Sequence, residues 1–168
     1  MNVILVDREA FVEGGEIAVG YYASPIGLIE ICGSDQAITS LRLGAMRQYG
    51  VVANEVVERA IEQVLAYFSA GRRTFDLPIA LAGTAFQHRV WQQILTIPYG
   101  QTAAYSAVAR ALDKPRAVRA VGAAAGQNPI SIIVPCHRVV GSHGDLVGYG
   151  GGLWRKEWLL QHEGALLV

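Results

Sequence analysis

Three adjacent residues are the best suited to chemistry in this chain: Cys136, His137 and Arg138. An apolar run at residues 130–134 precedes them and predicts a buried strand that ends next to the cysteine. Cationic neighbours lower the pKa of a thiol and so increase the fraction that is thiolate, which is the nucleophilic form. The pattern therefore indicates a reactive cysteine, with an inert buried cysteine as the alternative.

Position along the chain does not fix which group takes the proton of this cysteine. Neighbouring residues on a strand face opposite sides, so Cys136 and His137 need not touch, and a bridging water is one way to connect them. Glu163, near the end of the last predicted helix, is a candidate to orient His137.

The cysteine count restricts the kind of site that the chain can build. Cys32 and Cys136 are too few for a disulfide framework, and neither belongs to the CxxC pair of a thiolate zinc site. Cys32 lies in a strand pattern without polar neighbours, and we expect it to be structural. A reducing cytoplasm is the expected compartment. No apolar run is long enough to span a bilayer, and the first residues lack the basic start of a secretory signal.

Charge is unevenly distributed, although the formal net charge of the 168 residues is zero. Residues 1–82 carry six basic and ten acidic side chains, whereas residues 83–168 carry eight basic and four acidic ones. All four histidines also lie in the second stretch. A positive second half is what contact with phosphates requires, and chance clustering of solvated charges fits the counts equally well.

The first half reads as strands followed by a helix. Strand-like runs at residues 21–27, 28–32 and 38–43 are separated by turn residues. Asn54 is a candidate N-cap for a helix with apolar residues at helical spacing, including Leu65, and a glycine at position 71 would end it. A polar-then-apolar connection follows at residues 72–81. We therefore place a domain boundary there, between residues 1–80 and 81–168.

The second half reads as short helices. Thr84 can cap one that ends before residues 98–100, and Thr102 can cap the next. A tight break leads into a third helix at residues 116–122, which carries Arg116 and Arg119. Two short helices joined in this way predict a helix-turn-helix, whose second helix could approach a DNA groove. A plain core helix rich in alanine and valine is the alternative.

A glycine-rich stretch at residues 141–152 precedes a final amphipathic helix, predicted from residue 153 to about 162. Its glycines let the backbone approach a flat ligand closely, and a merely flexible loop is the alternative. The predicted fold class is α/β, of the α+β type. A small N-terminal β-sheet with a helix is followed by a mostly helical C-terminal domain.

The run Pro-Cys-His-Arg-Val at residues 135–139 resembles the active-site signature of the O6-alkylguanine-DNA alkyltransferases, also called methylated-DNA–protein-cysteine methyltransferases. Other stretches similar to this family follow the same order and spacing: Gly-Thr-Ala-Phe-Gln at 83–87, Val-Trp at 90–91, Ile-Pro-Tyr-Gly at 97–100, Arg-Ala-Val-Gly at 119–122, Asn-Pro at 128–129, Gly-Tyr at 148–149, Gly-Gly-Leu at 151–153 and Arg-Lys at 155–156. Ser-Pro-Ile-Gly at 24–27 matches more loosely. The resemblance spans about half of the chain.

The resemblance implies an enzyme of direct-reversal DNA repair that needs no cofactor. Cys136 would accept an alkyl group, such as methyl, from O6-alkylguanine in DNA and keep it permanently. His137 would draw the thiol proton through a water and be held by Glu163. Tyr105 would donate to the guanine ring, and Asn128 would brace the turn between the third helix and the active-site strand.

The resemblance also implies a DNA-binding surface and a base pocket. Arg119 would fill the gap that the target nucleotide leaves when it rotates out, and Arg116 accompanies it in the DNA-binding set. Ser142 would hold a phosphate. The pocket would be lined by backbone at Cys136, Val139, Tyr149 and Gly150. The partner is double-stranded DNA containing O6-alkylguanine, with no membrane, and the protein is expected to be a monomer.

Elementary chemistry agrees with these implied roles. A thiolate cannot reach an alkyl carbon on guanine O6 inside stacked DNA, so the base must be extruded. Displacement at that carbon needs a strong nucleophile in line and a stabilised leaving group. The thioether that forms is inert, and no residue suggests a way to regenerate the thiol. Each molecule should therefore act once.

Two departures from the family pattern and two other functions need to be weighed. Gly150 occupies a position where many relatives have a small side chain, and residues 1–82 contain one Cys and no His, which predicts no metal site. A helix-turn-helix protein that only binds DNA would need none of Cys136, His137, Tyr105 and Glu163. A cysteine hydrolase would turn over an ester or amide and ignore DNA, which the positive second half argues against.

Overall fold

The computed structural model describes residues 2–5, 17–48 and 50–166 of the chain. The chain divides into two compact units, Met1–Ala82 and Gly83–Val168. In its described residues the first unit combines a sheet with one helix, and the second is mostly helical, so the α+β prediction is confirmed. None of the helices in the described ranges has the length and hydrophobicity that a membrane span requires.

Five strands build the sheet of the first unit: β1 (Asn2–Leu5), β2 (Ala18–Ser24), β3 (Gly27–Gly33), β4 (Ile38–Leu43) and β5 (Asp76–Ile79). They lie in the order β1-β5-β4-β3-β2. The last three strands in that order form an antiparallel meander, whereas β5 is parallel to both of its neighbours. The strand β5 lies in the stretch that the sequence pattern assigned to a connection. It is short and contains a proline, and both features weaken the strand signal.

One helix, α1 (Glu55–Ser69), packs against this sheet. Asn54 caps it as predicted, because its side-chain oxygen accepts a hydrogen bond from Val57 N at 2.8 Å. Residues spaced three or four apart are buried against the strands: Val57, Ala60, Val64 and Tyr67. Leu65 is 46% exposed, so the predicted apolar stripe was too wide.

Cys32 does have polar company, contrary to the prediction. Its Sγ donates to Glu30 Oε1 at 3.7 Å, and that carboxylate, 1% exposed, also accepts from Tyr21 Oη and Arg42 Nε. The prediction was wrong because residues two apart on a strand share a face. Burial, together with the Glu30 carboxylate, raises the pKa of the Cys32 thiol. Cys32 is therefore a protonated thiol at neutral pH.

Four helices and a short parallel strand pair form the second unit: α2 (Ala85–Leu95), α3 (Tyr105–Ala111), α4 (Val118–Gly126) and α5 (Leu153–His162), with β6 (Ala103–Ala104) beside β7 (Val139–Val140). Thr84 begins α2 with the capping box that a threonine and a glutamine three residues later can form, here with Gln87. The buried Trp91 donates from Nε1 to Ala124 O at 2.8 Å, which joins α2 to α4.

The helix-turn-helix consists of α3 and α4, and two of its predicted details were wrong. Thr102 does not cap α3, whose N-cap is Ala104 without a side-chain hydrogen bond. The reason is that residues 103–104 pair with β7 and keep the chain extended. Arg116 precedes α4 rather than lying on it, because a turn closed by Ala117 N and Lys114 O delays the helix until Val118.

The four apolar residues of 130–134 are buried as the pattern suggests, but the stretch does not form the predicted strand. They make a tight turn in which Val134 N donates to Ile130 O at 3.0 Å. Ile132 has a φ of 70°, which is unusual and strained for a β-branched residue. Tight turns with strained backbone often occur at functional sites, and this one leads directly to the cysteine.

Candidate active site

Asn128 shapes the turn that presents Cys136. Its Oδ1 accepts from Ile130 N at 3.0 Å and its Nδ2 donates to Val134 O at 2.8 Å, so one side chain satisfies two backbone groups that a strand would have paired. The same Nδ2 lies 3.0 Å from Cys136 Sγ. Asn128 therefore fixes the turn and also gives the sulfur a donor that favours its thiolate form.

Cys136 begins a single turn of 3-10 helix, Cys136–Arg138, and is 6% exposed. Burial raises the pKa of its thiol, and the Asn128 amide and the charge of Lys156 act against that rise. The expected effect of cationic neighbours is thus outweighed by desolvation. Cys136 rests as a thiol, and it must give up a proton before it can act as a nucleophile.

His137 and Arg138 both contact Glu163, the C-cap of α5. His137 Nε2 lies 2.8 Å from Glu163 Oε1. Arg138 donates from Nε to Glu163 Oε2 at 2.8 Å and from Nη2 to Oε1 at 3.0 Å, and all three side chains are buried. The fork of the guanidinium matches the carboxylate, so Glu163 has one orientation in which it can hold the imidazole.

Protonation states in this triad follow from burial and charge. Although desolvation raises it, the pKa of Glu163 falls to about 2 because His137 and Arg138 donate to it. Burial lowers the pKa of His137 despite the carboxylate beside it. Glu163 is a carboxylate that can only accept, so the neutral ring of His137 carries its hydrogen on Nε2.

The other ring nitrogen of His137 is therefore the basic one. His137 Nδ1 is buried and has no hydrogen-bond partner among the described residues. This nitrogen has a free lone pair that can accept a proton, and the Glu163 carboxylate beside Nε2 can stabilise the imidazolium that results. The site thus contains a buried thiol and, on the next residue of the chain, an oriented base.

The carboxylate of Glu163 should make the protein acid-labile in a defined pH range. Its pKa is about 2 in the fold, against 4.5 for the free group, so its contribution is present above pH 4.5 and is lost as the pH falls towards 2. We expect about 3 kcal/mol of unfolding free energy to depend on this ionisation. Urea unfolding at a series of pH values measures it.

The test variant is Glu163→Gln, and its matched control is Glu157→Gln, which changes an exposed glutamate on α5. Glu163→Gln should be destabilised already at pH 7 by about 3 kcal/mol, because Arg138 is left buried without its partner. It should then lose much less than the wild type on acidification. Parallel pH curves for wild type and Glu163→Gln would contradict the assignment.

Lys156 is a fully buried cation on α5 that contacts the other side of the site. Its Nζ donates to Val139 O at 2.6 Å, to Val147 O at 3.3 Å and to Tyr105 Oη at 3.4 Å. Burial lowers the pKa of Lys156 to about 8, against the opposing effect of Cys136. It is still mostly protonated at pH 7, but it gives up a proton more readily than an exposed lysine.

Tyr105, the first residue of α3, is the partner of that lysine. Its hydroxyl donates to Val147 O at 3.2 Å and accepts from Lys156 Nζ. Burial, followed by the proximity of Cys136, raises the pKa of Tyr105. Tyr105 is therefore a neutral phenol close to the sulfur, with a cation behind its oxygen.

Tyr149 and Gly150 lie in the glycine-rich segment before α5. The Tyr149 hydroxyl is buried and makes no well-formed hydrogen bond to the described residues, although Ser131 and Cys136 are its polar neighbours. Burial raises the pKa of Tyr149 well above its ordinary value. Gly150 is exposed, and a Cβ built on it would meet only Gly126 O, at 3.5 Å. A small side chain would therefore fit at this position, so steric hindrance does not require glycine here.

The predicted site residues fall into two groups in the structure. One group consists of the cysteine and buried or half-buried residues that contact it or one another: Cys136, His137, Glu163, Tyr105, Asn128, Val139 and Tyr149. Arg116, Arg119, Ser142 and Gly150 are instead exposed. The residues assigned to the chemistry are therefore buried or half-buried, whereas the predicted DNA contacts lie on the surface. Among the described residues, no group of three or more His, Cys, Asp or Glu side chains is placed to hold a metal ion.

Sequence reasoning missed the roles of Arg138 and Lys156. Arg138 was treated as a charge near the thiol, whereas it is bound to Glu163 and to Ile97 O. Lys156 was noticed only within the Arg-Lys pair. A signal existed for it: Lys156 lies three residues before Leu159 and four before Leu160, both fully buried, so the pattern puts it on the buried face of α5.

Comparison with known proteins follows the same division of the chain. Residues 85–165 match the family described as 6-O-methylguanine DNA methyltransferase, DNA binding domain, and residues 17–81 match the ribonuclease-like domain of the same enzyme. A methylated-DNA–protein-cysteine methyltransferase of Mycolicibacterium paratuberculosis is 46% identical over 145 residues, covering 83% of this chain and 88% of the relative. One from Shigella flexneri is 53% identical over 108 residues, covering 64% of this chain and 63% of its own.

Solved structures give the same result. The crystal structure of Mycobacterium tuberculosis OGT in complex with DNA superposes with a TM-score of 0.79 at 44% identity. The similarity covers 86% of this chain and 91% of that one. It thus includes both units of the fold.

Proposed function

The chain belongs to the 6-O-methylguanine DNA methyltransferase family, and from that premise we propose how its own residues carry out the repair reaction. The reaction transfers an alkyl group from O6-alkylguanine in DNA to Cys136. The single observation that carries the assignment of roles is the buried contact of His137 Nε2 with Glu163, which leaves Nδ1 of the imidazole unpaired on the residue next to Cys136.

Activation of the thiol is the first step. His137 Nδ1 accepts the proton of Cys136, by way of a water, and the Glu163 carboxylate stabilises the imidazolium that forms. Asn128 Nδ2, 3.0 Å from the sulfur, stabilises the thiolate at the same time. The raised pKa of Cys136 keeps the thiol protonated until a base is in place.

Displacement follows on the extruded base. The thiolate attacks the alkyl carbon, a carbon–sulfur bond forms, and the bond from that carbon to guanine O6 breaks. The electron pair goes to the guanine, which takes the proton of the Tyr105 hydroxyl. Lys156 then returns a proton to Tyr105, since its pKa of about 8 makes it a ready donor. The product is a thioether, so each molecule acts once.

Contact with DNA is assigned to the exposed cations of the helix-turn-helix. Arg119 on α4 enters the gap that the rotated nucleotide leaves, and Arg116 attracts the phosphates nearby. Ser142, exposed beyond β7, holds a phosphate. We place the protein in the cytoplasm, because a reducing compartment keeps the Cys136 thiol free. We also propose that it acts as a monomer.

The test of this proposal is the intact mass of the protein after incubation with duplex DNA that contains one O6-methylguanine. We expect the mass to rise by one methyl group, and peptide analysis to place that methyl on Cys136. The yield should level off at one methyl per protein molecule. Tight binding without a mass change would identify a protein that only binds DNA, and continued turnover would identify a different enzyme.

A further inference from the structure

The segment Tyr149 to Gly152 begins with two of the residues that the family resemblance places at the base pocket, and its backbone has few contacts of its own to fix its shape. Three of its four residues are glycines, which bury no side chain and have more backbone freedom than any other residue. Within the segment, one hydrogen bond, from Gly152 N to Tyr149 O at 2.9 Å, closes a turn. Tyr149 is anchored by its buried side chain, so contacts from neighbouring residues matter most for the three glycines.

One such contact comes from the next turn of the chain. Arg155 Nη1 donates to Gly151 O at 2.7 Å, so a charged donor reaches the middle of the glycine segment. Hydrogen bonds from charged groups are among the stronger ones. They are also geometrically specific when the guanidinium itself is held in place.

Trp154 holds that guanidinium. The Arg155 Cζ lies 4.3 Å from the centre of the Trp154 ring, within cation–π distance. A Cβ built on Gly152 would lie 3.6 Å from both Cδ1 and Nε1 of the indole, so the ring also runs past this glycine. Trp154 is nevertheless 52% exposed, so packing in the hydrophobic core is not the main role of its ring.

The backbone just before the segment is already held by two groups that the proposed mechanism uses. Val147 O accepts from Tyr105 Oη and from Lys156 Nζ. Arg155 and Lys156 are adjacent in sequence, so the first turn of α5 contacts both ends of the stretch from Val147 to Gly152. Tyr105 and Lys156 already have roles in the proposed mechanism, whereas Arg155 has none.

We propose that Arg155 is a positioning residue: stacked on Trp154 and bonded to Gly151, it holds residues 149–152 in the shape that accepts the extruded guanine. This inference rests on the proposed function, because the segment matters only if a base binds against it. It concerns the recognition of the base itself, so it applies to the free base as well as to DNA.

The experiment measures the rate of Cys136 labelling by free O6-benzylguanine over a range of concentrations. Arg155→Ala should raise the half-saturating concentration about tenfold, as loss of one charged hydrogen bond predicts, with the limiting rate within about twofold of wild type. Trp154→Ala should raise it less, and Trp154→Phe should restore it, because phenylalanine keeps a ring for the guanidinium. The matched control is Arg72→Ala, which removes an arginine that donates to a backbone oxygen, Thr74 O, in the other unit.

Two further readouts separate positioning from a general structural effect. The thermal midpoint and the rate of Cys136 alkylation by iodoacetamide should stay at their wild-type values in Arg155→Ala. An unchanged half-saturating concentration would overturn the inference, and so would equal losses in the benzylguanine and iodoacetamide reactions. If Arg155→Ala lowers the thermal midpoint, the comparison of Trp154→Ala with Trp154→Phe decides. Failure of the wild type to be labelled would instead count against the proposed function.

Discussion

Replacement of Cys136 by serine should abolish alkyl transfer and leave DNA affinity within about twofold of wild type. Serine fits the same space, and the Asn128 amide can donate to its oxygen as it does to the sulfur. A serine hydroxyl is a weak nucleophile, however, and a neutral imidazole deprotonates it far less readily than a thiol. Intact mass after incubation with O6-methylguanine duplex should show no methyl, while a fluorescence titration should show normal binding.

Cys32→Ser is the matched control for this prediction, since Cys32 is the one other cysteine of the chain. Its thiol lies beside the Glu30 carboxylate, which opposes formation of a second negative charge. Cys32→Ser should therefore transfer one methyl per molecule, as the wild type does. A methylated Cys136→Ser protein would mean that the acceptor is a different residue, and the buried contacts of His137 and Arg138 with Glu163 would then need another explanation.

Local sequence signals were sufficient for most helices. The caps of α1 and α2 depend on Asn54 and Thr84, which act within three residues of their own position, so spacing alone identifies them. The first turn of α3 shows where this approach ends. Thr102 is as good a cap by sequence, but the pairing of Ala103 with Val139 involves a residue far along the chain.

The turn before Cys136 could not be predicted from hydrophobicity. An apolar run such as residues 130–134 is buried in either a strand or a turn, and the choice depends on where its backbone groups find partners. Here the Asn128 side chain supplies two of those partners and replaces a neighbouring strand. The consequence reaches the chemistry, because the same amide contacts the sulfur.

The pKa of the active thiol was also beyond the sequence. Adjacent His and Arg residues suggested a lowered pKa, but the fold uses Arg138 to bind Glu163 and keeps His137 neutral. The cation that does act on the sulfur, Lys156, comes from another helix. Residue types near a cysteine thus indicated a reactive site correctly, but the direction of its resting pKa depends on burial and on three-dimensional neighbours.

Arg119 is expected to affect the repair of duplex DNA far more than the reaction with a free base. It is exposed on α4, the helix that would enter the groove. Extruding a nucleotide costs a few kcal/mol, and a side chain that fills the gap offsets part of that cost. Arg119→Ala should therefore slow transfer from O6-methylguanine duplex about 100-fold, which corresponds to roughly 3 kcal/mol.

Arg116→Ala separates this wedge effect from simple loss of charge, because Arg116 is equally exposed and lies three residues earlier, outside the helix. Each substitution removes one cation, so each should weaken DNA binding. Each should also reduce the slope of log affinity against log salt concentration by about one. Only Arg119→Ala should show the further loss of about 100-fold in the transfer rate from duplex, and both variants should react with free O6-benzylguanine at the wild-type rate.

A substrate that needs no base-pair opening gives a second test. Placing O6-methylguanine opposite a gap or in single-stranded DNA should restore most of the transfer rate that Arg119→Ala loses, because no stacked base pair then has to be opened. Similar losses for the two variants on duplex, or a loss for Arg119→Ala on the free base, would show that Arg119 contributes charge or structure rather than a wedge.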